Sequence, residues 1–274
     1  MDRKLIFVDI DGTLTPPGSN TPPESALWAI RRAREKGNPV FLCTGRNRGM
    51  LAPVLAYGFD GAVASAGGYV FVGDRVLFSC PMTPEQFETG MRLLGQTGVF
   101  RTIEGVDATF GDEDLSAFVQ HAGDGNSELI RWRKALADQL NIQPMSAYDG
   151  CPVYKIVFMC RDMEQLKPAR EALEKDFRFV VQDEPARGCL NGELINRRFD
   201  KGQGVRLVAR TLGIPLADTV GFGDSMNDLE MIQTVGTSVC MENGSPTLKA
   251  QSDLVCPAVQ DDGLKWAFEK LGLC

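Results

Sequence analysis

Two carboxylates two residues apart sit in the most chemical stretch of the chain, Asp9-Ile10-Asp11-Gly12-Thr13-Leu14. They follow Leu5-Ile6-Phe7-Val8, a continuous apolar run. Such a run suits a strand buried on both faces, as in a parallel sheet. In open parallel sheets, chemistry collects at the carboxyl ends of the strands. A pair of acids placed there can divide the labour: one attacks phosphorus while the other moves protons. Asp and Gly also suit a plain surface turn.

A second acidic group, Gly223-Asp224-Ser225-Met226-Asn227-Asp228, follows another strand-like run, Asp218 to Phe222. Taken alone, Asp224 reads equally well as a helix N-cap. If the two strands are neighbours, their carboxylates crowd together, and a divalent cation relieves the repulsion. An all-oxygen donor set suits Mg²⁺. Thr44-Gly45-Arg46 ends a third run, Val40-Phe41-Leu42-Cys43. A hydroxyl and a backbone N–H at such a place can hold phosphate oxygens. Lys201-Gly202 stands just before a helix-like stretch, Gly204 to Leu212. By itself such a lysine is an ordinary solvated side chain.

The elements that must position these residues alternate in a strand–helix–strand order. Thr21-Pro22-Pro23-Glu24 reads as a helix start, with Thr21 as N-cap, Pro22 in the first position and Glu24 as capping-box partner. Leu27, Ile30 and Ala33 recur at helical spacing up to Gly37, a natural stop. With the flanking apolar runs this makes a parallel unit. From about Pro81 the texture changes. Helix-like stretches near Pro84 to Gln96, Ser127 to Leu140 and Met163 to Lys175 mix with strand-like Tyr154 to Cys160 and Phe177 to Val181. The parallel pattern returns near Lys201 and continues through Thr237 to Met241. The chain therefore reads as one α/β core interrupted by an inserted α+β domain, with core at 1–80 and 190–274 and insert at 81–189.

Composition excludes several classes. The chain has 274 residues, 43% of them hydrophobic, a formal net charge of −7 and a pI near 4.9. That supports a real core and argues against wrapping nucleic acid. Eight scattered cysteines form no C-x-x-C pair, and the lone histidine, His121, leaves no zinc pattern. Reduced thiols and a cytoplasmic location are the expectation. No signal-peptide h-region and no run approaching a membrane span is present.

Together and in order, these motifs resemble the haloacid dehalogenase superfamily. That superfamily reads D-x-D-G-T, then Thr or Ser after the second core strand, then Lys, then an acidic G-D-x-x-x-D. The Cof-type branch is closer still, with T-G-R, K-G before a helix and G-D-x-x-N-D. Met241-Glu242-Asn243-Gly244, Lys249 with Asp253, and Asp262-Gly263 resemble later motifs of that branch. The resemblance covers the core and not the insert. It implies a Rossmann-like parallel-sheet core with an inserted α+β cap, and a phosphatase acting on a small phosphate ester. It implies Asp9 as nucleophile and Asp11 as general acid/base. It further implies Mg²⁺ on Asp9, the backbone carbonyl of Asp11 and Asp224, with Asp228 behind them, and Thr44, Gly45, Lys201 and Asn227 on the phosphate. About residues 81–189 would form a cap that opens and closes, hinged near Cys80-Pro81 and Arg187-Gly188.

Two positions depart from the pattern. Ser65-Ala66-Gly67-Gly68 stands where the family often has N-G, and Glu242 replaces the usual glycine. Two other readings stay open. A phosphohexomutase shares the D-x-D-G-T-L-T opening and needs cap arginines, for which Arg131 and Arg133 are available. A non-catalytic signalling protein on a related fold also uses Asp, Thr, Lys and Mg²⁺, though such domains are much shorter.

Overall fold

The computed structural model describes residues 3–121, 129, 132–133, 136, 142–181 and 188–274. The chain divides into two compact units. One comprises Met1–Arg46, Leu51–Ser79 and Asp200–Cys274; the other comprises Asn47–Met50 and Cys80–Phe199.

The first unit is built on strands β1 (Leu5–Val8), β2 (Val40–Cys43), β3 (Gly61–Ala64), β4 (Tyr69–Val72) and β5 (Arg75–Ser79), joined late in the chain by β12 (Thr219–Gly223), β13 (Thr237–Met241) and β14 (Leu254–Cys256). Their order across the sheet is β14-β13-β12-β1-β2-β3-β4-β5. Pairing is parallel from β14 to β3 and antiparallel from β3 to β5. Every residue of β1, β2, β3 and β12 is buried, which is why these runs read as apolar without alternation. The edge strand β5 is half-buried at Leu77 and Phe78 and exposed at Arg75, Val76 and Ser79. Helix Glu24–Glu35 buries Ala26, Leu27, Ala29, Ile30 and Ala33 and packs on helix Gly263–Lys270. Helix Lys201–Leu212 sets Val205, Val208 and Ala209 against Leu5, Phe7, Phe41 and Val63. Because β1 lies between β12 and β2, with Val8 paired to both Phe222 and Leu42, the carboxyl ends of three strands converge.

The second unit carries β6 (Phe100–Glu104), β7 (Thr109–Gly111), β8 (Ile142–Pro144), β9 (Lys155–Cys160), β10 (Phe177–Val181) and β11 (Leu190–Asn196), ordered β10-β11-β9-β6-β7-β8. On β9, alternate residues serve opposite faces. Ile156 and Phe158 join Leu94, Leu173 and Phe177 in one apolar cluster, while Val157 and Met159 join Leu129 and Trp132 in another.

Three local expectations are corrected. Thr21 caps nothing: the first helix starts at Glu24 with Pro23 at the N-cap position and no side-chain cap, because two successive prolines delay the first turn. Residues 190–199 do not belong to the core. Leu190–Asn196 is a strand paired with β9 and β10, and the chain returns to the first unit only at Asp200. Asn47–Met50 groups with the second unit, where the Asn47 side chain donates to the Ala108 carbonyl and the Thr109 hydroxyl. Most of the helix read from Ser127 to Leu140, together with Arg131 and Arg187, lies outside the described residues.

Strand β11 escapes pattern reading because its centre is charged. Glu193 is buried and accepts a hydrogen bond from Lys155 on β9 at 2.6 Å; Lys155 also lies 3.3 Å from Glu104 on β6. One ammonium thus serves two buried carboxylates on neighbouring strands. Lys155→Met is expected to destabilise the protein by about 3–5 kcal/mol, since removing one partner strands buried charge. Urea unfolding followed by circular dichroism checks this, and a loss under about 1 kcal/mol would show the cluster to be well hydrated.

Candidate active site

The converging strand ends gather the acids predicted from sequence. Asp9 follows β1 directly and its backbone N–H donates to Phe222 on β12 at 3.0 Å. Carboxylate oxygens of Asp9, Asp224 and Asp228 lie within 4.8 Å of one another, all three residues buried. Lys201 opens its helix behind the N-cap Asp200, whose side chain accepts from the Gln203 backbone at 2.7 Å. That placement sends the Lys201 ammonium, 1% exposed, into the acidic group. Its Nζ lies 2.9 Å from Asp9 Oδ1, 2.9 Å from Asn227 Oδ1 and 2.5 Å from Asp228 Oδ1. Lys201 is thus no solvated side chain.

The acids differ in what remains to them. Asp228 spends Oδ1 on Lys201 and Oδ2 on the backbone N–H groups of Asp224 and Ser225, at 3.0 and 3.2 Å. Asn227 gives its amide oxygen to Lys201 and to the Ser225 hydroxyl, so only its Nδ2 can donate outward. Asp224 accepts a long bond of 3.4 Å from the Thr13 hydroxyl. Gly12, at φ +90°, passes so close that a Cβ there would lie 2.2 Å from Asp224 Oδ2. The Asn243 side chain donates to the Gly12 carbonyl at 2.8 Å and accepts from Val259 N–H, which pins this loop from the far side.

Electrostatics reflect the crowding. Burial, and then the Asp228 charge, push the Asp9 carboxyl up to about 8. Burial and the Asp9 charge push Asp224 well above the usual carboxylate range. Burial alone would lower Lys201, yet Asp228 and Asp9 outweigh it and hold the ammonium well above its usual value. One ammonium does not neutralise three carboxylates. A divalent cation fits this donor set: every donor is a hard oxygen, and the ion supplies the positive charge the cluster lacks.

Thr44 follows β2 in a buried turn. Its N–H donates to Val63, its carbonyl accepts from Ala66, and its hydroxyl accepts from the Arg46 backbone at 3.1 Å. Gly45 lies between Thr44 and Arg46 in that same buried turn. The adjoining Ser65-Ala66-Gly67 run has φ of 49°, 57° and 104°, a left-handed stretch that two non-glycine residues adopt at a cost. Asp11 stands apart from the other acids. Its carboxylate meets the Arg46 guanidinium at two points, each 2.7 Å.

The remaining sequence candidates are peripheral or structural. Glu242 is exposed and pairs with Lys249 at 3.4 Å. Asp253 is held below the usual range by the Ser238 backbone N–H and hydroxyl. Asp262 accepts from the Ser25 hydroxyl. His121, exposed at a helix end, has its ring nitrogen 2.6 Å from the Ala117 carbonyl. Arg133 donates to the Val119 carbonyl at 3.1 Å. Sequence reading missed Arg46 and Asn243 as site-building residues. A guanidinium at the end of an all-buried strand needs a carboxylate, and that was the available signal for Arg46.

Comparison with known proteins places this site in context. A family described as haloacid dehalogenase-like hydrolase matches residues 6–268. YkrA from Bacillus subtilis (strain 168) is 29% identical over 280 residues, covering 100% of this chain and 99% of that protein. The same organism's 5-amino-6-(5-phospho-D-ribitylamino)uracil phosphatase YwtE is 27% identical over 283 residues, covering 98% of each. A solved structure from Geobacillus kaustophilus HTA426 superposes with a TM-score of 0.81 at 26% identity, covering 100% of both chains.

Proposed function

The chain belongs to the haloacid dehalogenase-like hydrolase family, and from that premise we infer a phosphatase that hydrolyses a small phosphorylated metabolite through a phosphorylated Asp9. The observation that carries the reading is the buried group of Lys201, Asp9, Asp228 and Asp224 at the carboxyl ends of β1 and β12.

In the proposed reaction a carboxylate oxygen of Asp9 attacks phosphorus, and the ester oxygen leaves with a proton from Asp11. Water then attacks phosphorus of the acyl phosphate while Asp11 takes its proton, and Asp9 is regenerated. This exchanges one hard displacement for two easier ones. Lys201, the Thr44 hydroxyl, the Gly45 backbone and Asn227 Nδ2 hold the phosphoryl oxygens. Asp228, tied to Lys201 and to two backbone amides, fixes the ammonium. Asp9, the Asp11 backbone carbonyl and Asp224 would hold Mg²⁺, with Asp228 behind them; the ion, when bound, neutralises charge on the phosphoryl group. The second unit is proposed as the cap that decides which esters are accepted, because the acids and Lys201 account for the phosphate and leave the rest of the molecule to other groups.

A phosphate-release screen over a metabolite panel with Mg²⁺ tests the reading. Turnover of at least one sugar phosphate or similar monoester is expected, alongside p-nitrophenyl phosphate. Release from none of them, by protein shown to be folded, would overturn it.

A further inference from the structure

The first unit has a second concave region, at the other end of its sheet. A cavity of about 520 Å³ opens where the chain enters β1, β2 and β3, bordered by Arg3, Arg31, Arg34, Glu35, Asp60 and the loop 37–39. The four residues of β1, roughly 13 Å of strand, separate it from Asp9. Its volume falls in the range of small-molecule sites, about 300–1,000 Å³.

The acceptors around this cavity are engaged. Asp60 meets Arg34 with both oxygens, at 3.1 and 2.9 Å, and its Oδ2 also accepts from the Val40 backbone at 2.8 Å. Glu35 pairs at 2.7 Å with Arg32, a residue outside the lining. At the end of helix Glu24–Glu35, the Ala33 and Arg34 carbonyls accept from the Asn38 and Gly37 backbones. The Gly37 carbonyl accepts from Arg3 Nε at 2.9 Å. The donors are in surplus. Arg3 commits only Nε, which leaves both its Nη groups. Arg31, three residues before Arg34 and so on the same side of the helix, makes no hydrogen bond or ion pair with the described residues. Guanidinium N–H groups form a planar fork that matches phosphate and carboxylate oxygens. In a chain of net charge −7, a cavity with spare forks and engaged acceptors suits an anion.

We propose that this cavity is a second binding site, separate from the acidic one, for a small polyanion that carries at least two phosphate or carboxylate groups. The forks of Arg3 and Arg31 hold the anion, and Arg34, oriented by Asp60, adds to the positive wall. Two anionic groups are required because the two spare forks sit on different segments, one before β1 and one in the helix. Occupancy fastens those segments to each other and leaves the acids at the far end of β1 untouched.

Calorimetric titration of the metal-free full chain at fixed ionic strength tests this, with pyrophosphate and citrate as probes. At least one probe should bind saturably, with Kd on the order of 1 mM or tighter. Arg3→Gln and Arg31→Gln should each weaken that binding about tenfold or more, the usual worth of a charge-assisted hydrogen-bonded pair. Arg32→Gln removes the same charge one residue outside the lining and should weaken it less than about twofold, because exposed charges at a distance are screened. Turnover of p-nitrophenyl phosphate should stay within about twofold of the parent in all three variants, since none of these residues is near the acids. All three are exposed, so the variants should melt with the parent; should Arg3→Gln melt lower, Arg31→Gln carries the test alone. Binding of pyrophosphate only assigns the site to phosphate groups, binding of citrate only assigns it to carboxylates, and binding of both assigns it to either. No saturable binding of either probe, binding indifferent to Arg31→Gln, or an equal loss in Arg32→Gln would overturn the proposal.

Discussion

Asp9→Asn is expected to lower kcat by on the order of 10⁵-fold or more while leaving a folded protein, because loss of a covalent nucleophile is among the costliest single changes to a hydrolase. An amide cannot form the acyl phosphate, yet it fills the same volume at the end of β1. The stability consequence runs the other way. In the metal-free protein Asp9 is pushed up to about 8 by burial and by the Asp228 charge, so its ionised form is a burden. Removing that charge leaves Lys201 paired with Asp228 at 2.5 Å. The variant should therefore melt no lower than the parent at pH 8 without Mg²⁺, a case of stability set against function. Single-turnover assays and thermal melts measure both halves. Turnover at a tenth of the parent's or better would refute Asp9 as nucleophile.

The second large effect concerns the cation. Exhaustive chelation is expected to abolish turnover, and Ca²⁺ is expected to restore little, since its looser and more numerous coordination suits the site poorly. The same cluster gives this a signature independent of activity. Asp9 and Asp224 are both raised in the metal-free fold. Between the ordinary carboxylate range near pH 4 and about pH 8, the folded state holds protons that the unfolded chain has released. Stability of the metal-free protein therefore falls as pH rises through that window. Mg²⁺ must displace those protons, so its apparent affinity should weaken as pH falls, by up to about tenfold per pH unit for each proton displaced. The thermal shift on adding Mg²⁺ should be larger at pH 8 than at pH 5.5. Calorimetric titration in two buffers of different ionisation enthalpy counts the protons released. Equal affinities at pH 5.5 and 7.5 would show that the carboxylates are not the ligands.

Much of the core was legible because its strands are buried on both faces. Leu5–Val8, Val40–Cys43 and Thr237–Met241 stand where continuous apolar runs put them, and the chemistry stands at their ends. The acids could be grouped because parallel order makes neighbours of strands far apart in sequence. What stayed hidden depends on pairings that no periodicity carries. Leu190–Asn196 hides Glu193 in its middle, and only Lys155, on a different strand, makes that glutamate a buried residue. The helix expected to open at Pro22, with Thr21 as its N-cap, starts two residues later because Pro22 and Pro23 hold the backbone extended ahead of Glu24. Arg46 was visible as a letter of T-G-R, but its partner and its bidentate geometry belong to the folded loop alone.

The close pass of Gly12 beneath Asp224 makes a single steric object of two signature segments from opposite ends of the chain. Gly12 brings no functional group to the reaction. Its hydrogen atom is what leaves space for the Asp224 oxygen, and any larger side chain would evict the one or the other. The glycine of the first signature is thus written by the aspartate of the second, and drift at either position is answerable to the other.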